Sequence, residues 1–525
     1  VGNKADVSGN DLLEYWERDP GTRLILLYLE SFGNPRRFIE IARRVGREKP
    51  ILAVKSGRTR AGMRAASSHT GSIAGTESAV EALCRQSGVV RCDTMEEMFD
   101  IAMLLANQPV PRGRRVGIVT NAGGPGILAS DACESHGLEV PVLSESAMDA
   151  LRALLPPEAS VRNPVDMIAS ATPGVFEKAV AAVLEDPNID ALLVLYVPPI
   201  TLIASEVAES IVRGVAEATR LADLEGRPHK PVLSCFLGTH GLQESMSTLH
   251  EGRIPSYVFP ESAAIALARA VRYGEWRSQA PGGVRAFPAD RERARRAVVR
   301  AADRGPRAWL DAREIAEVLA AYGIPEPAAR LARSEDEAVA AARALGWPVV
   351  LKLYSSSLTH KSDVGGVALD LRDDDEVRDA WRGMRARLES VGKLGEMEGA
   401  TLQPLVREGV ETILGMTRDA TFGPLVMFGL GGIHVEILRD VSFRIAPLTD
   451  RDAREMVREV RAHPLLEGFR GAPPSDLQAL YEALLRVSQL AEDLPEIAEM
   501  DLNPVRVLGP GRGVMAIDAR IRLGE

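Results

Sequence analysis

The sequence predicts an α/β protein: two doubly wound parallel sheets followed by a third unit of different pattern. Three observations lead there. Short apolar runs recur through the first two-thirds of the 525 residues, and they are nearly continuous instead of alternating, as strands covered on both faces are. Amphipathic helical segments lie between them, the rhythm of parallel βαβ units. Proline- and glycine-rich breaks interrupt that rhythm twice.

In chain order, the strand candidates are "LILLYLE" (24–30), "ILAVKSG" (51–57), "VVRC" (89–92), "RVGIVTN" (115–121), "ALLVLYVPP" (191–199), "PVLSCFLG" (231–238) and "IPSYVF" (254–259). Helices are predicted over 34–45 and 94–108; the second opens with Thr94 and Glu97 at capping-box spacing. "QPVPRGRR" (108–115) marks one boundary and "SQAPGGVRAFPADRERAR" (278–295) another. The expected division is therefore 1–110, 111–277, a linker over 278–304, and a third unit over 305–525. In that third unit a helix over "DAREIAEVLAAYG" and a capped helix from Ser334 precede "WPVVLKLYSSSLTHKSDVGGVAL". A length of 525 residues suits three or four domains.

The net charge of −10 offers no domain-wide positive field for a phosphate backbone, which argues against a nucleic-acid binder. Cys84, Cys92, Cys133 and Cys235 are far apart, without CxxC spacing, as in a reducing cytoplasm without a zinc site. No apolar run reaches the roughly 18–20 residues of a membrane span. A cytoplasmic protein away from membranes is expected. The chain starts at Val1 and not at Met, so a preceding segment is expected as well.

Four stretches carry candidate chemistry. In "SSHTGS" (67–72), His69 lies among small hydroxyl residues beside Gly71, downstream of the strand candidate 51–57. Alone it reads more readily as a solvated loop histidine. In "VGIVTNAGGPGILASDACESHG" (116–137), a strand runs into Gly123 and Gly124 and then a helix, so backbone N–H groups and a helix N-terminus could hold phosphate or carboxylate. A tight strand–helix turn explains the same glycines. In "GWPVVLKLYSSSLTHKSDVGGV" (346–367), Lys352 falls inside an apolar strand, where an ammonium needs an anion such as a nucleotide phosphate; an edge strand with its head in water is the plainer alternative. In "EMDLNPVRVLGPGRGVMAIDARI" (499–521), Asp501 and Asn503 share one face of a strand, and Asp518 follows on a second strand of a hairpin. Oxygen donors of that kind suit Mg²⁺ with nucleotide phosphates as its other partners. Between these lie "LQPLV", whose Gln403 is on a strand suited to border an adenine, and then Glu411 and Arg444 as further nucleotide or phosphate contacts.

Taken in order, "VGNKADV", "SSHTGSIAG", "TNAGGPGILASDACESHGL" and "NPVDMIASA", followed by "VVLKLYSSSLTHKSDVGGV", "FGPLVMFGLGGIHVEILRD" and "EMDLNPVRV…IDARI", resemble the NDP-forming acyl-CoA synthetases, relatives of succinyl-CoA synthetase. The resemblance covers essentially the whole chain. It implies two flavodoxin-like, succinyl-CoA synthetase-like domains followed by an ATP-grasp domain, with the family's N-terminal CoA-binding domain lacking. It implies the reversible reaction acyl-CoA + ADP + phosphate = acid + CoA + ATP, with acetate or another short acid as substrate. It makes His69 the phosphohistidine, Glu30 the carboxylate that orients it, and His360 a second relay histidine. Lys352, Lys361, Gln403, Glu411 and Arg444 would contact nucleotide; Asp501, Asn503 and Asp518 would hold Mg²⁺; Gly71, Gly123, Gly124, Asn163 and Asp166 are phosphate or acyl candidates. Partners implied are ATP/ADP, CoA, phosphate, a small acid and further copies of the chain. Because one phosphoryl group must pass between loop and nucleotide site, the "SHTG" segment is expected to swing between them or hand its phosphate to His360. The competing reading is the synthetase-like part of a lysine acetyltransferase or an acyl-CoA-sensing protein.

Overall fold

The structure is a computed structural model that describes residues 6–57, 77–199, 204–238, 242–355, 358, 364–431 and 440–524. The described residues form two compact units that part between Ala280 and Pro281, apart from residues 77–82, which group with the second.

In the first unit, β1 (Ile25–Leu29), β2 (Ile51–Lys55) and β3 (Val90–Cys92) form a parallel sheet in that order. β2 is buried throughout, as its unbroken apolar run predicts. β1 is not: Leu26 and Tyr28 face outward, because β1 is the edge strand and only Ile25, Leu27 and Leu29 are covered. A second parallel sheet has the order β5-β4-β6-β7-β8, from β4 (Val116–Thr120), β5 (Val165–Asp166), β6 (Ala191–Tyr196), β7 (Val232–Phe236) and β8 (Ser256–Tyr257). The chain reverses its winding between β4 and β6, and the carboxyl edge there is the topological switch point of such sheets.

Helices Met95–Asn107 and Pro260–Ser278 fill the layer between the two sheets. Met98 and Ile101 from one, and Ala263, Ala264 and Leu267 from the other, join Leu52, Val54, Ile118 and Leu193 in one apolar cluster. Thr94 caps the first helix by accepting from Glu97 N–H, while the Glu97 carboxylate takes the N–H of Asp93, one residue before the capping-box position.

The second unit opens inside the stretch expected as a linker. Helix Arg291–Ala302 is capped by Asp290, and Ala294, Ala297, Val298 and Ala301 bury one face. Those positions are i, i+3, i+4 and i+7, a helical stripe that lay in the sequence behind the conspicuous arginines.

This unit holds two antiparallel sheets. The smaller, β11-β10-β12-β9, uses β9 (Arg330–Ala332), β10 (Val349–Tyr354), β11 (Val367–Leu371) and β12 (Gly399–Pro404). Its Leu351, Leu353, Ala400 and Leu402 pack against helices Glu335–Leu345 and Asp374–Ser390. The larger runs β15-β14-β13-β16-β17, with β18 also on β16. Its strands are β13 (Val410–Asp419), β14 (Gly423–Leu430), β15 (Val441–Ile445), β16 (Ile497–Val507), β17 (Val514–Ala516) and β18 (Ala519–Leu523). Met500, Leu502, Leu414, Val426 and Phe428 face helices that include Leu477–Asp493. No helix among the described residues is long and apolar enough to cross a membrane.

Candidate functional site

The side chains opposite the small sheet's core define the site. Because strand residues alternate in direction, burying Leu351, Leu353 and Leu402 turns Lys352, Thr401 and Gln403 to the other face. That face borders a cavity of about 970 Å³, closed on its far side by Ile517, Asp518, Ala519 and Arg520. Lys352 is buried; its ammonium donates to the Ile517 carbonyl at 2.8 Å and lies 3.6 Å from the Asp518 carboxylate. Gln403 donates to the same carbonyl at 3.3 Å. The edge-strand alternative for Lys352 is thereby excluded: β10 runs between β11 and β12.

Asp518 does not lie on a strand. It occupies the corner where the chain leaves β17 and enters β18, with both strands paired to β16. Its carbonyl accepts from Asn503 N–H at 3.0 Å, so Asn503 and Asp518 are neighbours. Asp501 lies two residues back on the face of β16 opposite Met500 and Leu502. Burial pushes its carboxyl above the usual range, Arg520 draws it back, and Asp518 and Glu499 raise it further. Lys352, Gln403 and Asp518 share the cavity; Asn503 adjoins Asp518 through its backbone and Asp501 feels its charge, but neither of these two lines the cavity.

Glu411 and Arg444 are not in this group. Glu411 faces Arg506 across the β13–β16 ladder and pairs with it at 2.6 Å. Arg444 is almost wholly buried, and its guanidinium is 3.0 Å from Glu459 and 3.9 Å from Glu455 on helix Asp450–Glu459. Each has an opposite charge as neighbour within the fold, and neither lines the cavity.

The cavity also holds Glu326, which the motif reading passed over. It lies in "GIPEPA", a loop between two elements with no periodic signal. Burial pushes its carboxyl up to about 7, against the pull of Lys352 and helped by the Asp518 charge.

In the first unit, Glu30 is exposed just past the carboxyl end of β1. The chain leaves β2 alongside it, with Ser56 N–H donating to the Leu29 carbonyl at 3.0 Å. Gly123 and Gly124 open helix Gly123–Ser135 at the carboxyl edge of β4. The Asp166 carboxylate lies against Gly123, where a Cβ would come within 3.1 Å of Oδ2. Asn163 has another task. Its Oδ1 accepts from Ile118 N–H at 2.9 Å, and its Nδ2 donates to Val116 O at 2.8 Å and Pro141 O at 2.9 Å. β5 pairs only with Val119 and Thr120, so the Asn163 amide serves as the missing strand for the start of β4. That occupies both N–H donors of its amide, the groups an acyl or phosphate oxygen would need. Asn121, unremarked in the sequence, similarly clamps Val197 N and O at 2.8 Å each, closing the switch point between β4 and β6. His69, Gly71, His360 and Lys361 lie outside the described residues.

Three family models match the chain in order: a succinyl-CoA ligase-like flavodoxin domain over residues 1–105, a ligase-CoA domain over 116–280, and an ATP-grasp domain over 300–523. The 4-hydroxybutyrate–CoA ligase (ADP-forming) of Nitrosopumilus maritimus is 36% identical over the whole of this chain and 74% of its own length. The acetate–CoA ligase (ADP-forming) I of Archaeoglobus fulgidus is 39% identical over the whole of this chain and 73% of its own. A solved chain of Ca. Korarchaeum cryptofilum, a dinucleotide-forming acetyl-coenzyme A synthetase 1 in complex with coenzyme A and Ca-AMPCP, is 46% identical. It covers 44% of this chain and 99% of its own, at a TM-score of 0.42. With similarity of that extent running through all three domains, the chain belongs to the ADP-forming acyl-CoA ligases.

Proposed function

We propose that this ligase interconverts acyl-CoA, ADP and phosphate with free acid, CoA and ATP through an acyl phosphate and a phosphohistidine at His69. The supporting observation is the pairing of buried Lys352 with Asp518 at 3.6 Å in a cavity large enough for a nucleotide. A lysine so placed matches an anionic phosphate.

In the synthetic direction for ATP, a phosphate oxygen attacks the thioester carbonyl and expels CoA as its thiolate. An imidazole nitrogen of His69 then attacks phosphorus and releases the carboxylate. The terminal phosphate oxygen of ADP takes the phosphoryl group and frees the imidazole. Splitting the transfer lowers each barrier, and a histidine is largely unprotonated near neutral pH. Glu30, at the carboxyl end of β1, is assigned the orienting role, accepting from the imidazole nitrogen that does not attack.

Asp518, Asn503 and Asp501 supply the hard oxygen donors that Mg²⁺ takes. Burial raises the carboxyl of Asp501, and the charges of Asp518 and Glu499 add to it; a cation there would favour the ionised form. When bound, the ion would neutralise phosphate charge. Among the described residues no three His, Cys, Asp or Glu side chains are grouped to hold a metal by themselves, and nucleotide phosphates and water would supply the other ligands. Gly123, Gly124 and Asp166, at the switch-point edge, are the candidates for acyl or phosphate contact. The acid is proposed to be acetate or another short acid; the named relatives act on acetate and 4-hydroxybutyrate.

Incubation with Mg²⁺ and γ-labelled ATP should give an acid-labile, base-stable label that is lost in His69→Ala. Retention of the label in His69→Ala with loss in His360→Ala would move the assignment to His360. An acyl-CoA-sensing protein would take no label at all. A panel of acids scored for CoA-dependent ADP formation ranks the substrates.

A further inference from the structure

We propose that Glu326 recognises the nucleoside half of the nucleotide, accepting a hydrogen bond from a ribose hydroxyl or from the exocyclic amine of the base. The inference rests on the reading of the Lys352–Asp518 cavity as the nucleotide site.

Glu326 is presented rigidly. Proline on each side fixes the backbone of the loop, and the Pro325 carbonyl is tied to β17 by Ala516 N–H at 2.8 Å. Its carboxyl lines the same cavity as Lys352, Gln403 and Asp518. Among the described residues no donor is hydrogen-bonded to it, although it is half-buried. A carboxylate held in a cleft without a donor is costly unless a ligand brings one. An ionised carboxylate only accepts. The phosphates of a nucleotide likewise only accept, and they would be repelled. Donors exist solely on the nucleoside half: the two ribose hydroxyls and the amine of the base. Lys352, near both Glu326 and Asp518, is then the residue that separates the two ends, attracting phosphate while balancing Glu326. Because the loop is pinned before ligand arrives, little ordering cost accompanies the contact.

The test measures equilibrium binding to the full chain at pH 8, where Glu326 is ionised, for wild type, Glu326→Ala, Glu326→Gln and Lys352→Ala. The probes are ADP, 2′-deoxy-ADP, 3′-deoxy-ADP and purine riboside diphosphate, which lacks the amine. Glu326→Ala should weaken ADP by about 10- to 100-fold, the range for a hydrogen bond to a charged group. Glu326→Gln, which keeps an acceptor oxygen and the shape, should weaken it less and should melt no lower than wild type. One analogue should bind wild type weakly and lose nothing further in Glu326→Ala, which identifies the ribose or the base as the source of the donor. Equal losses for all four probes, or no loss, would overturn the proposal. So would a loss seen with Mg²⁺ but absent in EDTA, which would make Glu326 a metal-side group. Should Lys352→Ala lose ADP while Glu326→Ala does not, only this inference fails. If neither variant loses ADP, the assignment of the cavity itself fails.

Discussion

The carboxyl edge of the second sheet in the first unit and the cleft of the second unit both set polar side chains against apolar walls, but they treat them oppositely. At the sheet edge each amide is tied to backbone: Asn163 makes three such bonds and Asn121 two. In the cleft, burial drives Glu326 and Asp501 upward, and Lys352 faces Asp518 and Glu326. A polar group whose bonds are all closed within the fold holds the fold together. One left uncompensated awaits a ligand. The contrast sorts residues that looked alike in the sequence.

The strongest way to break the contrast is Lys352→Ala. Removing an ammonium that faces both acidic groups should cut ADP-dependent ATP formation by about 10²- to 10³-fold, as for loss of a preorganised charge-stabilising donor. Steady-state kinetics checks this. A drop below tenfold would put the nucleotide elsewhere.

Arg444→Met carries the contrast inside the second unit. Arg444 is buried with its charge met by Glu459, although its Nε has no hydrogen-bond partner among the described residues, and a role in holding the fold is expected of it. A loss of about 3 kcal/mol is expected, as when a buried ion pair loses one partner, with ADP affinity unchanged. Urea unfolding beside calorimetry separates the two quantities. Asn163→Ala should cost about 2 kcal/mol by leaving strand groups of β4 unpaired, again without altering ADP binding. A loss of nucleotide affinity in either variant would dissolve the distinction.

The smallest effect is in pH. Glu326 ionises at about 7 in the folded protein, against 4.5 for an ordinary glutamate. Between those values the native state binds the extra proton, so stability declines as pH rises through that window. Below it both states are protonated, and the penalty is absent. Glu326→Gln should flatten this decline and melt higher than wild type at pH 8, which thermal melts from pH 4.5 to 8 would detect. An unchanged slope would mean that Glu326 is not the group responsible.

Much of this architecture was legible in the residues. Buried parallel strands announce themselves as apolar runs, so β2, β4, β6 and β7 fall where "ILAVK", "VGIVT", "ALLVLY" and "VLSCF" stand. Lys352 stood out because a charge inside such a run demands a partner, and the alternation of Asp501 and Asn503 fixed their shared face. What failed was anything decided by distant packing. Arg444 and Glu411 have the charge for phosphate work, but their partners come from a helix 15 residues on and from a strand 95 residues on. No local pattern reveals such pairing. β5 is two residues long, too short to leave a signal, and Asn163 acquired its role because of that brevity. Glu326 was hidden for the opposite reason: a Pro-Glu-Pro loop has no period to read, although two flanking prolines are themselves a mark of a fixed side chain.

The corner at residues 516–518 receives ties from three directions: the Pro325 loop through Ala516 N–H, and β10 and β12 of the small sheet through Lys352 and Gln403 on the Ile517 carbonyl. Parting the cleft therefore strips acceptors from several elements at once. In amide exchange, Ala516 and its neighbours on β17 should trade deuterium as one cooperative block, slowing together when nucleotide seals the cleft. The backbone at this corner would then act as a built-in gauge of occupancy, readable without a dye or a turnover assay.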